Sequence, residues 1–104
     1  MAGVKSGESM VVTLIQIIFE LPESTSLKDK RSVVSSAKER IRRKFRISIA
    51  EVDLLDSISF AQLGGALVSN SKEFGEKVMN RVLSFVEGDL ALKVHDSQIH
   101  TEFY

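Results

Sequence analysis

"MVVTLIQIIFEL", residues 10–21, carries two patterns in one strand. Val11, Val12, Ile15, Ile17, Ile18 and Phe19 are β-branched or aromatic, the side chains that fit a pleated surface, and Pro22 ends the run because it has no N–H for a ladder. Positions 11, 15, 17, 19 and 21 are all apolar, with only small Thr13 among them, so this set faces a core. The even positions read Val12, Leu14, Gln16, Ile18 and Glu20, which is half apolar. One face apolar but for Thr13 and one half-apolar face predict a sheet covered on one side and open to association on the other. Thr13 and Gln16 interrupt the run, and it falls short of the ~20 apolar residues that a membrane helix needs.

Downstream, Ser26 opens a helix, with Asp29 three residues later in the manner of a capping box, although aspartate is shorter than the usual glutamate. Leu27, Val34, Ala37, Ile41 and Phe45 form one stripe of an amphipathic helix, and its missing step falls on Lys30. Residues 47–54, "ISIAEVDL", read as a second strand whose inward parity the pattern leaves open. A turn around Asp56 and Ser57 leads to a third strand at residues 58–69, where Gly64 and Gly65 mark a bulge or a close backbone approach. Asn70 or Ser71 caps a second helix whose buried stripe is Phe74, Val78, Val82, Phe85 and Val86, and Gly88 stops it. A fourth strand runs from about Leu92 to Phe103.

The order is β-α-β-β-α-β. Two right-handed crossovers joined by a hairpin give an α+β ferredoxin-like sandwich: a four-stranded antiparallel sheet, first and third strands central, with both helices on one face. Residues 1–9 read as a mobile tail and residues 10–104 as a single domain, which suits a chain of 104 residues. Val12, Leu14 and Ile18 then lie on the uncovered face, so a homodimer through that face or a sheet edge is expected. The chain has no cysteine, which excludes disulfides and thiolate metal sites. "MAGVKSGES" is not a signal peptide, so the expected location is the cytoplasm, with no membrane partner.

Three motifs carry a resemblance. "SLKDKRSV" at the first helix start, "SIAEVD" at 48–53 and "AQLGGALVSN" at 61–70 together resemble the YlxP-like bacterial family, in its order and spacing, over nearly everything from Met10 onward. The departures are Asp29, where that motif usually has glutamate, and Gly65, where a branched apolar residue is common; neither is expected to threaten the fold, and the glycine at 65 is expected to loosen the third strand. The resemblance implies a ferredoxin-like domain of unknown function, and gene neighbours concerned with transcription elongation and translation initiation imply an RNA or ribosomal-particle setting. It brings no catalytic residues with it.

The residues themselves point away from an enzyme. His95 and His100, five apart on a strand, are expected on opposite faces, which makes no metal site. Glu51 and Asp53 share a strand face on the same reading, but Lys30 or Arg31 at the start of the first helix is placed to form a structural ion pair with Asp53 or Asp56. The loop "LPESTS" after the first strand lacks the glycine of a phosphate-cradling loop, and the G-x-x-x-x-G-K pattern is absent. RNA-recognition motifs share the topology but stack bases on aromatic residues of the central strands, where this chain offers only Phe19, on the core face, and Phe60. No cofactor is expected. A non-enzymatic binding module is.

Charge supplies its direction. The chain is neutral overall, yet residues 28–46 hold nine basic and two acidic residues, a net of plus seven against minus seven elsewhere. Cations in the last turn gain from the helix dipole, but like-charge neighbours four apart repel and Glu39 offsets only part of them. Lys28, Arg31, Lys38, Arg40, Arg42, Arg43 and Lys44 are therefore the candidate contacts to nucleic acid or another anion, reading phosphates rather than bases. The alternative is a homodimeric protein-interaction or small-ligand module in which the basic helix is only a solvated face.

Overall fold

Strict alternation along the first strand sets the layers. In the computed structural model, which describes residues 10–22 and 25–104, the elements are β1 (Val11–Glu20), α1 (Leu27–Phe45), β2 (Ser48–Asp53), β3 (Phe60–Ser69), α2 (Lys72–Glu87) and β4 (Lys93–Phe103). They form one antiparallel sheet in the order β2-β3-β1-β4, the expected ferredoxin-like arrangement with β1 and β3 central. The tail expected at residues 1–9 lies outside the described residues.

The odd residues of β1 are all buried, and Ile15, Ile17 and Phe19 meet Val34, Ala37 and Ile41 of α1 and Met79, Val82, Phe85 and Val86 of α2 in one core. Ile47 and Ile49 join it, which settles the inward parity of the second strand. Each helix begins on a serine: Ser26 Oγ accepts from Asp29 N at 3.1 Å and Ser71 Oγ from Phe74 N at 3.2 Å, so Ser71, not Asn70, caps α2. Asp29 does not return to Ser26. Its carboxylate accepts from the Thr25 hydroxyl at 2.6 Å and the Thr25 N–H at 3.2 Å, one residue earlier. These bonds, the hydroxyl's first, hold the Asp29 carboxyl below the usual carboxylate range.

The stripe of α2 is rotated from the expected one. Phe74 is 54% exposed and Val78 half-buried, while Gly75 and Met79 take the buried places. Gly75 explains the rotation, because a Cβ there would collide with the Thr13 side chain, so its absence lets α2 settle directly on β1. Thr13 is fully buried by that approach, and its Oγ1 has no hydrogen-bond partner. Gly65 is a second close approach: a Cβ there would stand 3.0 Å from Ile15 Cγ2 and 3.3 Å from Ile47 Cδ1. A branched residue at 65 would therefore require Ile15 and Ile47 to shift in this packing.

Two bulges overturn parity readings at the sheet edges. The β1–β4 register slips between Ile18 and Phe19, where Asp96 and Val94 are their respective partners. His95 is the extra residue, and it packs edge-on to Phe60 with centroids 5.0 Å apart and its Nε2 3.7 Å from Glu20, on the same face as His100. The expectation of opposite faces fails because one inserted residue reverses the alternation. On β2, Val52 is inserted between Glu51, which pairs with Leu63, and Asp53, which pairs with Gln62. Glu51 and Asp53 consequently do not share a face.

The even face of the sheet carries no helix. Val12 pairs with Val68, Leu14 with Ala66 and Ile18 with Gln62 across its centre. Leu14 is 37% and Val68 61% exposed, and Val52 packs over Gly64 beside them.

Candidate anion-binding surface

The structure divides the basic residues of α1 into three groups by what each side chain touches. Lys30 is in none of the exposed groups: at 1% exposure it is among the largest fully buried side chains of the domain. Its ammonium lies 2.9 Å from Glu51 Oε2 and donates to the Leu54 carbonyl. That Glu51 oxygen is buried without a well-aligned hydrogen bond, so the contact is an ion pair by proximity and charge. The pair fastens the start of α1 to the end of β2. It also holds the turn beyond, where Leu54 adopts a left-handed φ of 60°, its N–H donates to Asp53 Oδ1 at 2.7 Å and its carbonyl accepts from Ser57 N at 3.0 Å.

The structural ion pair therefore exists with a different partner from those expected. Asp53 is occupied by the Leu54 N–H, and neither Asp56 nor Arg31 forms an ion pair among the described residues. The reason is the β2 bulge: Glu51 lies on the helix-facing side with Ile47 and Ile49, while Asp53 is turned away. The alternation Ile47, Ile49, Glu51 carried that signal in the sequence, once the parity is known.

The second group is a flank facing β2. Arg31, Lys38 and Arg42 recur at helical spacing with Lys28 beside them. Arg42 anchors this flank by donating to the Ile49 carbonyl of β2 at 3.1 Å and to Glu39 at 3.2 Å. Arg43 reaches the other Glu39 oxygen at 3.3 Å, so one glutamate serves two arginines. Lys38 is half-buried and Lys28 and Arg31 are exposed.

The third group turns toward α2. Arg40 Cζ lies 5.7 Å from the Phe85 ring centroid, and Lys44 Nζ lies 5.6 Å from Phe85 and 5.9 Å from Phe45. Phe45 and Phe85 meet edge to face at 5.5 Å. These cation–π contacts are each worth about 0.5–1 kcal/mol at exposed sites, and they orient the cations without neutralising them. The aromatic partners were not legible from helix spacing, since both phenylalanines belong to apolar stripes. Arg46 ends the helix in the left-handed region, its N–H donating to Arg42 O at 2.8 Å.

The seven candidate contacts are thus on one helix but not on one patch. By helical spacing Arg31 and Lys38 share the flank on which Arg42 reaches β2, with Lys28 beside them, while Arg40 and Lys44 lie over Phe85 of α2 and Arg43 pairs with Glu39. No helix among the described residues is long and apolar enough to cross a membrane.

Comparisons with known proteins agree with this architecture. An uncharacterized protein, YlxP of Bacillus subtilis (strain 168), is 37% identical over 65 residues, covering 62% of this chain and 71% of that one. Among solved structures, a protein of unknown function from Nitrosomonas europaea, NE2512, superposes with a TM-score of 0.54 at 10% identity, covering 93% of this chain and 91% of that one. The de novo designed protein LFR1 1, described as having a ferredoxin fold, superposes at 0.53 and 11% identity over 91% of this chain and 85% of that one. At those identities the structural likeness concerns the fold alone. The family model described as "Protein of unknown function (DUF503)" matches residues 12–99, and the chain belongs to that family.

Proposed function

We propose that this protein is a non-enzymatic binding module of the cytoplasm that holds structured RNA, free or in a ribosomal particle, by its phosphates through the exposed surface of α1. The observation that supports this reading is the imbalance on that surface. With Lys30 consumed by Glu51, the cations from Lys28 to Arg46 that meet solvent have Glu39 as their one ion-pairing partner among the described residues. Asp29 is engaged by Thr25. A helix that carries this much like charge is destabilised by its own repulsions, and a polyanion relieves them while releasing counterions.

The test is binding of a structured RNA titrated with salt. Affinity is expected to fall steeply as salt rises, and alanine at Arg42, Arg43 and Lys44 together is expected to flatten the slope by about two to three charges' worth. Affinity indifferent to salt or to the triple substitution removes the reading.

A second reading rests on the open sheet face, whose occupant is a second copy of this chain. Its central patch, Val12, Leu14, Ile18, Val52, Ala66 and Val68, carries no charge, and the acidic Glu20, Asp96 and Glu102 lie along its β4 side. Strands of 10, 6, 10 and 11 residues present roughly 600 Å² in projection, from about 4.8 Å per strand and 3.3 Å per residue. That approaches the ~800 Å² per partner of a standard interface. A dimer in solution that Leu14→Glu converts to a folded monomer supports it, and a monomeric parent chain removes it.

A further inference from the structure

We infer that the cleft between the C-terminal halves of α1 and α2 is a binding site for an unpaired nucleotide, holding one phosphodiester and the base beside it. This rests on the RNA-binding reading and gives it a specific point of contact. The cleft is an open groove of about 540 Å³ lined by Lys44, Phe45, Arg81, Ser84, Phe85 and Asp89. Arg40 closes over the same Phe85 ring.

Charge identifies the phosphate. Arg40, Lys44 and Arg81 bring three cations to the cleft, and among the described residues none of them forms an ion pair, with Asp89 or any other acid. The C-termini of the two helices together present about one negative charge, and Asp89 adds another. Roughly one positive charge is left without a partner, which matches a single phosphodiester.

The aromatic floor identifies the rest of the ligand. A bare phosphate site has no use for two rings, whereas a base gains stacking energy on an aromatic face whatever its identity. Phe85 is buried, its ring covered by Arg40 and Lys44, while Phe45 is only half-buried and supplies the accessible ring. Lys44 lies within cation–π distance of both rings, so it can hold a phosphate next to a stacked base. Duplex RNA offers no such base, because its bases are stacked within the helix. The site therefore selects single strands, loops or bulges.

The experiment compares a short single-stranded RNA with a duplex of the same length, titrated with salt, for the parent chain and for Phe45→Leu, Arg81→Ala and Arg43→Ala. Phe45→Leu is expected to weaken single-strand binding about fivefold to tenfold with the duplex unaffected, since stacking on one ring is lost. Arg81→Ala, at an exposed position of α2, is expected to lower the single-strand salt slope by about 0.7 while leaving the duplex slope alone. Arg43→Ala, outside the cleft, is expected to weaken both forms equally. If Phe45→Leu and Arg81→Ala leave the single-strand to duplex ratio where it was, the cleft is not the site and the broader RNA reading stands. If neither RNA binds the parent chain, both fall.

Discussion

Lys30 and Lys44 are the same residue type on the same helix, and the fold treats them in opposite ways. Lys30 interrupts the apolar stripe, lies buried, and spends its charge on Glu51 and the Leu54 carbonyl. Lys44 stands at the exposed end over two aromatic rings and forms no ion pair among the described residues. A lysine in a stripe position reports on packing. A lysine beside the stripe, in excess of its acids, reports on what the surface is for. The N-terminal end of α1 is thus a fastening between helix and sheet, and the C-terminal end carries the positive charge on which the proposed anion binding rests.

The sharpest way to break this comparison is to truncate Lys30. Lys30→Ala leaves a mostly buried carboxylate without its cation, and a loss on the order of 3 kcal/mol is expected in urea unfolding. Pairing Lys30→Met with Glu51→Leu removes both charges and is expected to recover most of that loss. A Lys30→Ala cost no greater than that of an exposed lysine would place it with Lys44 after all. Arg42 is intermediate, since it is exposed yet donates to Ile49 O. Arg42→Ala is expected to cost about 1 kcal/mol, and Arg43→Ala, with only a surface pair to lose, under about 0.5 kcal/mol. Equal costs for the two would mean that the contact with β2 contributes nothing.

The smallest expected effect concerns Asp29, just before Lys30. Its carboxyl is held low by Thr25, so the ionised form is favoured in the folded chain. That contribution is complete above the ordinary carboxylate pKa of the unfolded chain and fades as pH falls through the lower folded value. Thr25→Val is expected to move the Asp29 titration up toward its ordinary range in an NMR pH series. An unmoved midpoint would show that the hydroxyl is not the cause.

The two helices differ in how legible they were. For α1, the cap on Ser26, the stripe and the exceptional Lys30 could all be read from spacing, because a 3.6-residue period and a serine cap are local properties. For α2 the same reading placed Phe74 inside and missed Gly75, because the rotation of that helix is set by Thr13, sixty-two residues away in the chain. The two edge strands failed in a similar way. A bulge at Val52 and another at His95 reverse the alternation, and nothing in "AEVDL" or "KVHDS" shows which residue will be squeezed out. Register at an edge is decided by the neighbouring strand.

By itself, then, the sequence determined the order of elements, the two faces of β1, the Ser26 cap of α1 and the crowding of charge on that helix, all of which follow from local periodicity and composition. The tertiary structure alone decided that Lys30 belongs to Glu51, that the cations of α1 divide between β2 and α2, and that Arg40, Lys44 and Arg81 converge on Phe45 and Phe85. Those depend on distances between elements far apart in sequence, and only packing two helices onto one twisted sheet fixes such distances.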